Sequence, residues 1–221
     1  MDAGKAITGA AYSVYYYRSA LLKALLFPFI VYIVFELAYG ANVHPVANFI
    51  FGVLSILIHV NVAITTHRML LLGPDSVPEW GINRWSKRET LFAFHMLFLI
   101  LLLCLIVIPL AFIPTVGMTL GVLVFFWLAC RFSLAFPGIA VNEAVSFKLS
   151  WKLTQRHQFP LAVVLIIFPL VLFIPHYVIM LFLLGEYFSL IFSMATTVLE
   201  VAALSMAYRH IKQEEYSSQI L

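Results

Sequence analysis

Charge is what this sequence has least of. Only 10 % of its 221 residues are Asp, Glu, Lys or Arg, and 63 % are hydrophobic, whereas a soluble domain carries about a quarter charged and half apolar. Thirteen Lys and Arg with ten Asp and Glu are too few to keep a folded surface of this size wet and dispersed. A soluble globular domain, a disordered chain, collagen and a coiled coil are all excluded by that arithmetic. Cysteine is nearly as scarce. Cys104 and Cys130 sit in apolar runs without metal spacing, so they read as free thiols or small core hydrophobes, and no disulfide framework follows. The formal charge of +3 offers no dense basic patch for nucleic acid.

Catalytic signatures are missing as well. There is no G-x-S-x-G elbow, no H-E-x-x-H and no phosphate-cradling glycine loop. The longest stretches between apolar runs are around 20 residues, below the roughly 40 that an independent domain needs. No catalytic residue, metal ligand or cofactor is therefore expected.

What the sequence has is long apolar runs. A helix needs about 20 mostly apolar residues to cross about 30 Å of hydrocarbon. Six runs qualify, at about 20–39, 45–69, 89–112, 116–136, 159–182 and 186–209. The first is too long for the roughly 7–15-residue core of a cleaved leader, so it counts as a span. Connections alternate between tight turns around Asn42, Pro114 and Gly185 and longer segments at 70–88 and 137–158. The predicted fold is all-α: one polytopic membrane domain of six transmembrane helices in three hairpins.

Orientation follows from where the cations fall. Lys5, Arg18 and Lys23 flank the first span, Arg68, Arg84, Lys87 and Arg88 the first long loop, Arg131, Lys148, Lys152 and Arg156 the second, and Arg209 and Lys212 close the chain; none lies in a tight turn. The positive-inside rule then puts both termini and both long loops in the cytoplasm. Matched arginines at the feet of each hairpin hint at a repeat, but interfacial anchoring explains them without one.

Two segments read as amphipathic helices lying on the cytoplasmic leaflet. One, about 7–19, carries Tyr12, Tyr15, Tyr16 and Tyr17 beside Arg18; the other, about 142–154, repeats Ala144, Phe147 and Trp151 at helical spacing with Lys148 and Lys152 beside them and Asn142 as N-cap. The loop between the second and third spans is rich in turn formers, with Trp80 and Trp85 as interface anchors. Anionic headgroups are the expected partners of Arg18, Arg84, Lys87, Arg88, Lys148 and Lys152.

Polar residues at membrane depth are costly, so each is a candidate for function. His59, Asn61, His95, Arg131 and Glu200 fall at roughly 7–15 Å from the cytoplasmic ends of their helices by helical rise. They form a candidate intramembrane polar cluster, with Thr65, Thr66, Thr196, Thr197 and Ser205 available to extend it. Glu200 is expected to pair with Arg131 or a histidine. Such a cluster serves either to fix helix register or to carry a proton or solute. A bis-histidine haem at His59 and His95 is disfavoured by a depth mismatch of about 6 Å. His67, His157 and His210 read as interfacial, and His44 and His176 as loop or rim residues.

One stretch carries a resemblance. Arg131-Phe132-Ser133-Leu134-Ala135-Phe136-Pro137-Gly138-Ile139-Ala140, then Glu143 and Ser150-Trp151-Lys152-Leu153-Thr154, resembles a signature of a broad bacterial family of uncharacterised six-helix inner-membrane proteins. That family is similar to the membrane domain attached to some glycerophosphodiester phosphodiesterases. After the threonine the pattern departs, with Gln155-Arg156-His157 in place of a glycine and a polar residue. The resemblance implies architecture and a bacterial inner membrane, not an activity. The expected function is that of a non-enzymatic scaffold or accessory subunit binding other membrane proteins or itself; the alternative is a small transporter or lipid-handling protein using the polar cluster.

Overall fold

The computed structural model describes residues 1–40, 44–143, 146–182 and 186–220. Among these the regular structure is entirely helical, with no strand. A chain in hydrocarbon must satisfy its backbone internally, and helices do this span by span. Ten α-helices result: α1 (Ala3–Tyr16), α2 (Arg18–Gly40), α3 (Pro45–Leu72), α4 (Lys87–Ala111), α5 (Gly117–Phe132), α6 (Ala135–Ala140), α7 (Phe147–Thr154), α8 (Gln158–Ala162), α9 (Phe168–Phe182) and α10 (Glu186–Ile220). Six helical stretches of the described residues are long and apolar enough to cross a membrane: Arg18–Ala38, Pro45–Leu72, Lys87–Leu110, Gly117–Ala140, Gln158–Val178 and Ser189–Ser217. The protein is a multi-pass membrane protein by length and composition. The expected turns at Asn42 and Gly185 lie outside the described residues.

Several boundaries differ from the sequence reading, each for a local reason. The fourth span is two helices, α5 and α6, with Pro137 in the second. The fifth passes from α8 into α9 through a π-helical turn at Val163–Ile167, between Pro160 and Pro169, a device common where helices yield to proline or function. Helix α4 starts at Lys87 because Ser86 and Glu89 close a capping box: the Ser86 side chain accepts from Arg88 N, and Glu89 Oε2 accepts from Ser86 N at 2.8 Å. Helix α7 is capped by Ser146, whose Oγ accepts from Leu149 N at 3.3 Å. The expected cap, Asn142, instead turns the chain at φ 60°, a conformation asparagine tolerates. Helix α10 continues past the polar run after Arg209, to Ile220.

Consecutive helices pack in pairs, α2 on α3, α4 on α5 and α9 on α10, with α10 also lying against α1 and α3. The α4–α5 contact depends on small residues four apart, Gly117 and Gly121. A Cβ on Gly117 would stand 1.9 Å from the Leu110 carbonyl oxygen, and one on Gly121 would stand 3.3 Å from Val107 Cγ1. This is the close approach that a G-x-x-x-G pair permits between membrane helices.

Helix α1 does not offer all its faces to lipid or water. Ala6 and Ala10 are fully buried in one core cluster with Ala202, Ala203, Met206, Ala207 and Ile211 of α10. A second cluster joins Leu21, Leu25 and Tyr32 of α2 to Ile58, Val62 and Met69 of α3 and Met194 and Val198 of α10. Helix α10 is therefore the element around which the bundle is organised. At the other extreme, the Lys87–Leu110 and Gln158–Val178 windows each keep only 11 % of their length buried inside the chain.

Candidate functional site

The five polar residues expected to meet do not form one network: among the described residues, none makes a hydrogen bond or ion pair to another of the five. Four of them are engaged locally, and of these Asn61 and Arg131 bond to other elements.

Arg131 closes the junction of α5 and α7. Its guanidinium lies over the Trp151 ring at 4.6 Å and Trp127 at 5.7 Å, and Nη1 donates to the Trp151 carbonyl at 3.2 Å. With its amide oxygen turned toward the guanidinium, Gln158 accepts from Arg131 Nε at 2.9 Å and Nη1 at 3.1 Å. The Arg131 carbonyl in turn accepts from Ser150 Oγ at 2.8 Å and Thr154 Oγ1 at 3.3 Å. A buried cation is thus stacked and hydrogen-bonded without a carboxylate. Trp151, expected as a headgroup anchor, is half-buried on this cation. Of the quoted signature, Arg131, Ser150, Trp151 and Thr154 meet here.

Asn61 and Thr65 bring the first long loop home. Asn61 Nδ2 donates to the Asn83 carbonyl at 3.4 Å, and Asn83 Nδ2 donates to Thr65 Oγ1 at 2.6 Å, all three residues being buried. Asn61 Oδ1 is buried without a hydrogen-bond partner. Beside this contact, His67 is 1 % exposed, not interfacial, with Nδ1 2.8 Å from Ser205 Oγ of α10. Arg68 donates to the carbonyls of Ser76 at 3.0 Å and Ala140 at 3.1 Å.

Arg88 folds back onto the fully buried Glu89, with Nε at 2.9 Å and Nη2 at 2.5 Å from Oε1. The capping-box spacing Ser86-x-x-Glu89 is the sequence signal that identifies this pair. Asn83 had no comparable signal, because its value depends on where the loop returns.

His59 and His95 stand apart from both. His59 Nδ1 lies 2.9 Å from the Ser55 carbonyl and its ring meets Tyr32 edge-on at 4.7 Å, while Ser55 Oγ donates to Glu36 at 3.0 Å. His95 Nδ1 lies 2.8 Å from the Leu91 carbonyl, with its ring 4.7 Å from Phe147.

Among the remaining interface candidates, Arg84, Lys87, Lys148 and Lys152 are exposed. Arg18 covers Tyr15 at 4.4 Å and donates to its carbonyl. Trp80 is 58 % exposed next to Lys23, which pairs with Glu79 at 2.8 Å; Trp85 Nε1 donates to Thr90 at 2.9 Å. Outside the spans, Glu143 accepts from Tyr208 Oη at 2.6 Å and pairs with Lys212 at 2.8 Å. Burial pushes the Glu143 carboxyl up, but the bonds from Lys212 and Tyr208 and the Lys212 charge outweigh it and hold it below its ordinary value.

Glu200 is the exception. It is half-buried, and its carboxylate has no hydrogen bond or ion pair among the described residues; the expected pairing with Arg131 is not made because Arg131 is committed to α7. Glu200 lines a groove of about 240 Å³ between α9 and α10, with Pro169, Leu172, Phe173, His176, Ser193, Thr196 and Thr197. Within α10, Ser193 donates to Leu190, and Thr196 and Thr197 both donate to the Ser193 carbonyl. Their hydrogens are spent, so toward the groove these hydroxyls offer lone pairs. His176 Nε2 lies 3.2 Å from Ser189 Oγ at the groove's far end.

No known family model matches this chain, and no similar protein was found among curated proteins or solved structures.

Proposed function

We propose that this is a non-enzymatic integral membrane protein that acts as a scaffold or accessory subunit for other membrane proteins. One observation carries the reading. Among the described residues Asn61, His67 and Arg131 bond to neighbouring elements of the bundle, yet the Lys87–Leu110 and Gln158–Val178 spans are only 11 % buried, which leaves room for helices of a partner. The proposed setting is a bacterial inner membrane, with three hairpins, both termini and both long loops on the cytoplasmic side, and Lys148 and Lys152 against anionic headgroups. The distribution of Lys and Arg supports that orientation, and the packing of α2 on α3, α4 on α5 and α9 on α10 supports the hairpins.

Purification from the native membrane in a gentle detergent, followed by mass spectrometry, tests the function. A stoichiometric membrane-protein partner is the expected result; a chain that purifies alone at every detergent strength overturns it. Reporter fusions after Gly40 and after Gly73 test the orientation and are expected to report opposite sides.

Glu200 favours a second reading, a small transporter or lipid-handling protein with a proton or solute path. Under it, vesicles reconstituted with the chain would dissipate an imposed proton or solute gradient, and Glu200→Gln would abolish that flux while the folded protein stayed abundant.

A further inference from the structure

Glu200 lies about 17 Å along α10 from the start of the Ser189–Ser217 span, by a rise of about 1.5 Å per residue. That is near the middle of a hydrocarbon layer of about 30 Å. An ionised carboxylate at that depth is expensive unless a cation meets it. This chain supplies none. Every Lys, Arg and His belongs to the described residues, and no ion pair reaches Glu200 among them. Arg131 is held by Trp151 and Gln158, and His176 is turned to Ser189.

The groove's chemistry is one-sided. Beside the carboxylate, the Thr196 and Thr197 hydroxyls have only lone pairs left to offer, and they stand four and three residues before it on the same helix. The opposite wall is Pro169, Leu172 and Phe173, the last 57 % exposed, with His176 at its far end against Ser189. Acceptors around a carboxylate, facing an open aromatic ring, match an ammonium or guanidinium group on an aliphatic stem. The same wall belongs to the span that is 11 % buried, so the groove opens sideways from the bundle.

We infer that the α9–α10 groove docks a transmembrane helix of a partner protein bearing a lysine or arginine at mid-membrane depth, with Glu200 as its counter-ion. The inference rests on the accessory-subunit reading and names the partner's chemistry. Pairing the two charges offsets part of the cost that each carries alone in lipid. It also gives a partner to a carboxylate that makes no hydrogen bond or ion pair among the described residues.

The test uses the full chain, fluorescently labelled and reconstituted in phosphatidylcholine vesicles with acceptor-labelled synthetic peptides. The peptides are Leu/Ala-rich transmembrane helices with one central Lys, one central Gln or one central Glu. Energy transfer is expected to report association of the Lys peptide roughly tenfold tighter than the Gln peptide. Glu200→Gln, a near-isosteric change, should erase that preference, and Glu200→Lys should transfer it to the Glu peptide. Helix content and elution volume establish that both variants fold. Equal binding of Lys and Gln peptides to the wild-type chain, or a Lys preference that persists in Glu200→Gln, overturns the inference. The accessory reading fails separately: a native partner without a Lys preference preserves that reading and sinks this one, and a Lys preference without any native partner does the reverse.

Discussion

Asn83 Nδ2 donates to Thr65 Oγ1 at 2.6 Å, and through that bond the loop between α3 and α4 is fastened into the side of α3. Asn83→Ala removes the donor and leaves the buried Thr65 oxygen without it, a loss of about 1–3 kcal/mol. The variant should unfold at lower temperature in detergent and be cut faster by protease between Gly73 and Trp85. Unchanged protease resistance would show that the loop is held by something else.

Arg131→Gln keeps a polar side chain but loses the stacked charge. Cation–aromatic contact and charge-assisted bonding together predict destabilisation of about 2–4 kcal/mol. In a Trp80→Phe/Trp85→Phe background, fluorescence reports only Trp127 and Trp151, and their emission should shift as the cation leaves. An unshifted spectrum with unchanged thermal stability contradicts the account of the α5–α7 junction.

At Gly117 a methyl group would sit 1.9 Å from the backbone oxygen of Leu110. Backbone cannot yield as a flexible side chain does, so Gly117→Ala should force α4 and α5 apart, at a cost of about 1–3 kcal/mol. Gly121→Ala faces only Val107 Cγ1 at 3.3 Å and should cost less. Paired thermal melts decide the order, and equal losses would refute it.

Acid should loosen the contact between the second long loop and α10. The Glu143 carboxyl lies below its ordinary value of 4.5 in the folded chain, so folding favours its ionised form. That contribution is complete above the ordinary value and fades as pH falls through the lower folded one. Melts between about pH 6 and pH 3 should show an acid-side loss that is reduced in Glu143→Gln and in Lys212→Gln. Parallel curves for the wild type and both variants would exclude the pair as its source.

The six spans were legible because hydropathy over 20 residues is a large signal that needs no knowledge of neighbours. Phe147 and Trp151 likewise announced α7 by their spacing. The expected meeting of Arg131 and Glu200 failed for a different reason: depth can be read along a chain, but rotation about each helix axis cannot. Arg131 turns toward α7, where the Trp151 ring and carbonyl receive its guanidinium, and Glu200 turns toward α9. The extent of α10 was missed because its polar run after Arg209 looks like an ending. Its buried partners, Ala6 and Ala10, lie near the opposite end of the chain.

Helix α10 contains neither proline nor glycine over its 35 residues, and at about 1.5 Å per residue it is roughly 52 Å long. Without a hinge residue such a rod resists twisting, so its two ends turn together. A partner seated beside Glu200 that rolled α10 by a fraction of a turn would swing Tyr208 and Lys212 relative to Glu143. Occupancy deep in the bilayer would thereby be felt as torque at the membrane surface.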